Sequence, residues 1–257
     1  MRIFLTNDDG ASSEGLKVLW RHLQKLGEVS VFVPDTEKSG SSHSITFFNP
    51  IEVRRTKIDG EIDAYLVNGT PADCVKIGVK SILKDKPDIL ISGINPGANT
   101  GMYIRYSGTV SAAAEGIILG IPSVAVSVET SKVFHFDEAA EITLKILKEM
   151  EATGFPDNTI LNINIPSCEL NMIKGIKTTH QDVSKLDTVY EERQNPSGNS
   201  YFWMRSNHRT TDGEKGSDVD ALKDKFVSIT PLHLNLTNHN CLSRLKKDNK
   251  FENIRIK

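Results

Sequence analysis

Over residues 1–150 this sequence alternates short apolar runs with stretches of helical spacing, and that order restricts the possible fold more than any other feature. Arg2–Thr6 and Val29–Val33 read as strands, and between them Leu16, Leu19, Leu23 and Leu26 recur at helical spacing in Glu14–Leu26. Two strands are predicted around the Asp59-Gly60 turn in Ile51–Val67, then a helix over Pro71–Leu83 with proline near its start. Asp88–Ser92 reads as a strand, Thr109–Leu119 as a helix, Ser123–Val128 as a strand and Asp137–Glu151 as a helix. Strands and helices in this order predict an α/β domain, a mostly parallel central sheet flanked by helices. Ligands of such sheets lie in the crevice beyond the carboxyl ends of the strands.

From Thr159 the texture changes. Asn162–Pro166, Met172–Lys177 and Phe226–Pro231 read as strands, and Leu242–Lys247 as a short basic amphipathic helix. Between them Asp182–Lys215 is polar and irregular, yet holds Tyr190, Tyr201, Phe202 and Trp203. So long a stretch with few helical signals is expected to be an extended arm rather than a separate core. Its aromatics would pack either on a partner subunit or on their own domain. The expected organisation is one domain over 1–257: an α/β core in 1–180 that carries the site, and an oligomerisation arm with a return strand in 181–257.

Composition removes several function classes. A net charge of −2 provides no basic field for nucleic acid or an acidic membrane surface. No apolar run approaches the roughly 18 residues a membrane span needs. The amino terminus enters a strand-like run at once, without the pattern of a signal peptide. Cys74, Cys168 and Cys241 are far apart and form no CxxC pair, which fits a reducing, cytoplasmic setting and excludes a cysteine zinc framework.

Three segments could carry chemistry. Residues 5–10 read LTNDDG, so Asp8 and Asp9 follow an apolar strand directly. Two carboxylates there are costly unless a cation offsets them, and a hard divalent ion takes oxygen ligands. A plain turn accounts for Asn-Asp-Asp-Gly equally well. The second segment is the loop Lys38–Ser44, with Ser39 at its start and His43 within it. The third is residues 92–116, rich in glycine, with Asn95, Asn99 and then Ser107-Gly108-Thr109 opening a helix of small residues. Free N–H groups at that helix start form an anion site. Asp8, Asp9, Ser39 and Asn95 each lie just after a predicted strand, so one edge of the sheet gathers them. No Walker loop, GxGxxG turn or GxSxG elbow is present. An oxygen-ligand metal site beside an anion site remains, a combination suited to phosphate-ester hydrolysis. His43, His135, His180, His208, His233 and His239 are candidate general acids, and His43 is favoured by its loop.

With these motifs in hand, the chain resembles the SurE family of stationary-phase survival proteins, metal-dependent 5′-nucleotidases. The matching stretches are LTNDDG (5–10), SGSSHSIT (39–46), NGTPADCV (68–75), SGINPGANTG (92–101), YSGTVSAAAEG (106–116), GIPSVAVS (120–127) and SITPL (228–232). Residues 130–225 resemble the family weakly. The resemblance implies a Rossmann-like domain with a carboxyl-terminal arm exchanged between subunits of a homodimer or homotetramer. It implies one divalent cation per subunit, Mg²⁺ or Mn²⁺, held by Asp8, Asp9, Ser39 and Asn95. It further implies cytoplasmic hydrolysis of nucleoside 5′-monophosphates. Asp8 and Asp9 are the candidate catalytic residues, as carboxylates able either to take the proton of an attacking water or to attack phosphorus. Asn99, Ser107, Gly108, Thr109 and His43 are the expected contacts to substrate phosphate. Alternatives are a broader phosphomonoesterase or exopolyphosphatase, and a non-catalytic nucleotide sensor.

Overall fold

The computed structural model describes residues 1–184, 188–206, 213–249, 251–252 and 254. Its amino-terminal part runs β1 (Arg2–Thr6), α1 (Glu14–Leu23), β2 (Glu28–Pro34), β3 (Val53–Ile58), β4 (Ile62–Val67), α2 (Pro71–Ile77), β5 (Ile89–Pro96) and α3 (Gly108–Ile118). It continues with β6 (Ser123–Val128), α4 (Phe136–Thr153), β7 (Ile160–Ile165) and β8 (Ile176–Thr178). The remainder is β9 (Thr188–Gln194), β10 (Ser200–Ser206), α5 (Asp218–Lys223), β11 (Val227–Leu232) and α6 (His239–Lys247).

Among the described residues nine strands form one sheet in the order β3-β4-β2-β1-β5-β6-β7-β11-β8. All pairs from β4 to β7 are parallel, whereas β3 and β11 run antiparallel to β4 and β7. The expected α/β fold with a mostly parallel sheet is therefore present. The chain leaves β1 for β2 on one side and returns to β5 on the other, so the crevice between the carboxyl ends of β1 and β5 is the switch point of the sheet.

The strand period of two sorts the core into two layers. Ile3 and Leu5 of β1 face a layer with Leu16, Leu19, Leu23 and Leu147 of α1 and α4. Phe4 faces the other way, with Phe32, Val75, Leu90, Ala112 and Ala113 on the side of α2 and α3. Phe4 stacks on Phe32 at 4.9 Å between centroids, and Phe32 on Tyr65 at 4.4 Å.

Four segments depart from the sequence reading. The strand expected to stop at Ser92 continues to Pro96, with a register shift against β6 between Ser92 and Asn95. Gly93 permits it: its φ is +140°, and a Cβ there would lie 2.3 Å from the Val126 carbonyl oxygen. Asn95 thus sits within the end of a strand rather than in a loop beyond it. The helix expected over 71–83 ends at Ile77 and widens into a turn over Gly78–Ile82. Of the strand expected over 172–177, Met172 ends a 3₁₀ turn (Leu170–Met172), 173–175 have no regular structure, and extension begins only where Ile176 pairs with Val227. Within the stretch expected to be irregular, β9 and β10 form an antiparallel hairpin whose turn is held by Asn195 Oδ1, which accepts from the Ser197 and Asn199 amides.

The segment after 180 joins the core at two places. β11 inserts between β7 and β8. The buried Asp218 carboxylate accepts the Gly101 amide at 2.8 Å and the Asp182 amide at 3.0 Å, while Gln181 Nε2 donates to the Gly101 carbonyl at 2.8 Å. By contrast, among the described residues the hairpin strands pair only with each other, and α6 has no buried residue. Among the described residues no helix is long and apolar enough to cross a membrane.

Candidate active site

At the end of β1 the chain turns sharply. Asn7 staples that turn, its Nδ2 donating to the Gly10 carbonyl and its Oδ1 accepting the Gly10 amide. Gly10 takes a φ of +83°. The turn reading of Asn-Asp-Asp-Gly is therefore correct, and the turn presents two carboxylates at the switch point. Asp8 is buried, and Thr109 of α3 donates its hydroxyl to Asp8 Oδ1 at 2.6 Å. Gly108 allows that approach: a Cβ there would lie 2.7 Å from the Asp8 Cβ. The Lys38 amide donates to the Asp8 carbonyl at 2.7 Å and draws the serine loop to the same place.

Asp9 is half-buried, and its Oδ2 is buried without a hydrogen-bond partner. Ser39 Oγ donates to Glu37 Oε1 at 2.8 Å, and Asn95 Nδ2 to the Gly97 carbonyl at 2.6 Å. The committed nitrogen leaves Asn95 Oδ1 as the ligand-type atom of that side chain. Burial pushes the Asp8 carboxyl up, against the Thr109 hydroxyl and backbone amides that favour its charged form. Asp9 is pushed up to about 7, by burial first and then by the charges of Asp8 and Glu37. Glu37 is the member of this group that sequence reasoning missed, although it lies two residues before Ser39 in the same loop.

Crowded carboxylates with an orphaned oxygen fit a hard divalent cation, which needs anionic and neutral oxygen donors. Among the described residues no group of three or more His, Cys, Asp or Glu side chains is placed to hold a metal ion, so a cation here would need neutral oxygen donors beside the two aspartates. Asp8 and Asp9 follow β1, Ser39 follows β2, and Asn95 lies within the end of β5.

The expected phosphate contacts divide. Ser107 caps α3, its Oγ accepting the Val110 amide at 3.1 Å, and the next two residues, Gly108 and Thr109, lie against Asp8. Asn99 lies elsewhere: it is buried over the ends of β6 and β7, where its Nδ2 donates to Ser127 Oγ and its carbonyl accepts from Asn162 and Asn164. His43 Nε2 meets Glu115 Oε2 at 3.1 Å, further along α3. Of the other histidines, His135 pairs with Glu138, His180 faces Glu214, His239 contacts Asn235, and His233 is exposed. His208 lies outside the described residues.

A family model described as the survival protein SurE matches residues 3–188. This chain belongs to the SurE family. A SurE relative from Alkaliphilus metalliredigens, named 5′-nucleotidase SurE, is 43% identical over 97% of this chain and 99% of its own length. A second relative of that name, from Thermosipho melanesiensis, is 43% identical over 96% of this chain and 97% of its own length. The crystal structure of the SurE protein from Aquifex aeolicus superposes with a TM-score of 0.84 at 41% identity, covering 97% of this chain and 100% of that one.

Proposed function

We propose that this SurE-family chain is a 5′-nucleotidase that removes phosphate from nucleoside 5′-monophosphates, with Asp8, Asp9, Ser39 and Asn95 holding one divalent cation, Mg²⁺ or Mn²⁺. The observation that carries the reading is the orphaned, buried Oδ2 of Asp9 beside Asp8 at the switch point. An uncompensated buried carboxylate is destabilising unless a ligand completes it. The name 5′-nucleotidase on full-length relatives at about two-fifths identity supports the same activity.

When bound, the cation would neutralise charge on the phosphoryl group being transferred. The chain's own residues do the rest. Thr109 fixes the Asp8 carboxylate through its hydroxyl. The start of α3 at Ser107–Thr109 turns its positive end towards the phosphate oxygens. A carboxylate oxygen of Asp8 or Asp9 not committed to the cation would take the proton of an attacking water.

The test is phosphate release from a panel of nucleoside monophosphates, with p-nitrophenyl phosphate and short polyphosphate as competitors for the assignment. EDTA should abolish release and Mn²⁺ or Mg²⁺ should restore it. Asp9→Asn should lower kcat by about 100-fold or more with the circular dichroism spectrum unchanged. Release that ignores EDTA sinks the metal set, and binding of nucleotides without any release leaves a sensor.

A further inference from the structure

The loop 39–46 carries Ser39 yet has almost nothing apolar to hold it. Its one large hydrophobic side chain, Ile45, is exposed. Polar contacts fix the loop instead. At its start, Lys38 is bonded to Asp8. In the middle, the Ser42 amide donates to the Tyr106 carbonyl at 3.0 Å and the Ser42 hydroxyl to the Arg105 carbonyl at 2.8 Å. At its end, Thr46 gives its amide and hydroxyl to Asp73, and Thr70 donates to the Ser44 carbonyl at 2.7 Å.

The remaining contact is His43 with Glu115, and it is unusual chemically. Glu115 is a buried carboxylate, 2% exposed, on a helix otherwise built of Ala112, Ala113, Ala114 and Gly116. Lys76 of α2 meets its Oε1 at 2.7 Å and His43 its Oε2 at 3.1 Å. Burial pushes the Glu115 carboxyl up, but the bonds to His43 and Lys76 outweigh it and hold the group below its ordinary range. Glu115 also lies seven residues after Gly108, nearly two helical turns, so both face the same side of α3 about 10 Å apart. Gly108 touches Asp8 and Glu115 holds His43. From Lys38, bonded to Asp8, the loop turns at Ser39–Gly40, is held at Ser42 by the Arg105 and Tyr106 carbonyls just before α3, and reaches Glu115 at His43. The four Cα–Cα steps from Ser39 to His43 can reach about 13 Å, enough to cover that distance.

We infer that Glu115 is a positioning residue: by fixing His43 it lays the serine loop along α3 and sets Ser39 against Asp8 and Asp9. The link from loop to cation rests on the proposed place of Ser39 in the metal set. Lys76 neutralises the same carboxylate but touches no loop residue in this contact, so it provides the internal control. A merely structural Glu115 would make Lys76 and His43 equivalent.

Two readouts on the full-length protein decide the matter. The first is amide hydrogen exchange over residues 39–46 in metal-free protein, and the second is the Mn²⁺ dissociation constant by calorimetry. His43→Ala and Glu115→Gln should each speed exchange in that loop and weaken Mn²⁺ binding about tenfold. The double variant should be no worse than either single one. His43→Gln, which keeps an N–H donor, should recover most of the affinity. Lys76→Met should lower Tm while leaving loop exchange and Mn²⁺ affinity near wild type. Unchanged loop exchange in His43→Ala overturns the inference, as does a Lys76→Met variant that weakens Mn²⁺ equally. Faster loop exchange with unaltered Mn²⁺ affinity also overturns it, because the loop would then not set the site. If the wild-type protein binds no Mn²⁺ at all, the proposed metal set falls, and the exchange comparison still decides whether Glu115 holds the loop.

Discussion

β1 and β10 are both short strands rich in large apolar side chains, yet they meet opposite environments. Ile3, Phe4 and Leu5 are at most 1% exposed, whereas Phe202, Trp203 and Met204 are 59%, 58% and 62% exposed. β1 has a strand on each side and a helical layer on each face. β10 has only β9. An isolated two-stranded ribbon is marginal in water, and a cluster of exposed aromatics of this size marks an interaction surface. The difference teaches where the chain is complete by itself and where it presents a surface to something else. We propose that a second subunit covers the hairpin.

The core carries the largest expected effect. Phe4→Ala removes a ring stacked on Phe32 and should destabilise the fold by about 3–5 kcal/mol, lowering Tm on the order of 10 °C. A smaller loss would mean that the layer between β1 and α2–α3 repacks readily. The next effect is one of pH. Asp9 has a folded-state pKa of about 7, above the ordinary carboxylate value near 4. The folded state therefore binds the extra proton, and stability of metal-free protein should fall as pH rises from about 4 to about 7, then level off. Asp9→Asn should shrink that fall, and so should added Mn²⁺ in the wild type. Thermal scans across the window, with an equal slope in both proteins, would remove Asp9 as the cause. The smallest effect on stability belongs to the hairpin. The double change Phe202→Ser with Trp203→Ser should leave the monomer's unfolding free energy within about 0.5 kcal/mol. Light scattering should nevertheless show a lower assembly mass, and an unaltered mass would return the hairpin to its own domain.

The same contrast explains what the sequence could and could not disclose. Strands β1, β2 and β6 announce themselves because the chain buries both their faces, so their residues are almost wholly apolar. Asp8 and Asp9 stand out because charge at the end of such a strand needs a reason. The hairpin gave no alternation to read: β9 is TVYEERQ, and only Glu191 is even half-buried, so no face is written into it. Partner choice was equally hidden. Nothing local tells Thr109 to bond Asp8 across 101 residues, or Asn99 to turn into β6 and β7. The Thr109 contact follows from how closely Gly108 lets α3 approach Asp8. The extension of β5 through Asn95 was missed because Gly93 interrupts the apolar run while its conformation keeps the strand going.

The bond between Asp218 and Gly101 also bears on the order in which the molecule can become active. A ribosome releases β1 through β7 first, with Asp8, Asp9, Ser39 and Asn95 already in the nascent chain. The backbone at Gly101, between Asn95 and the start of α3, still lacks its carboxylate partner until α5 emerges. A growing polypeptide thus carries every proposed ligand for some time before it carries a finished pocket. Premature termination anywhere between residues 180 and 217 would produce a chain that has the chemistry but not the frame to use it.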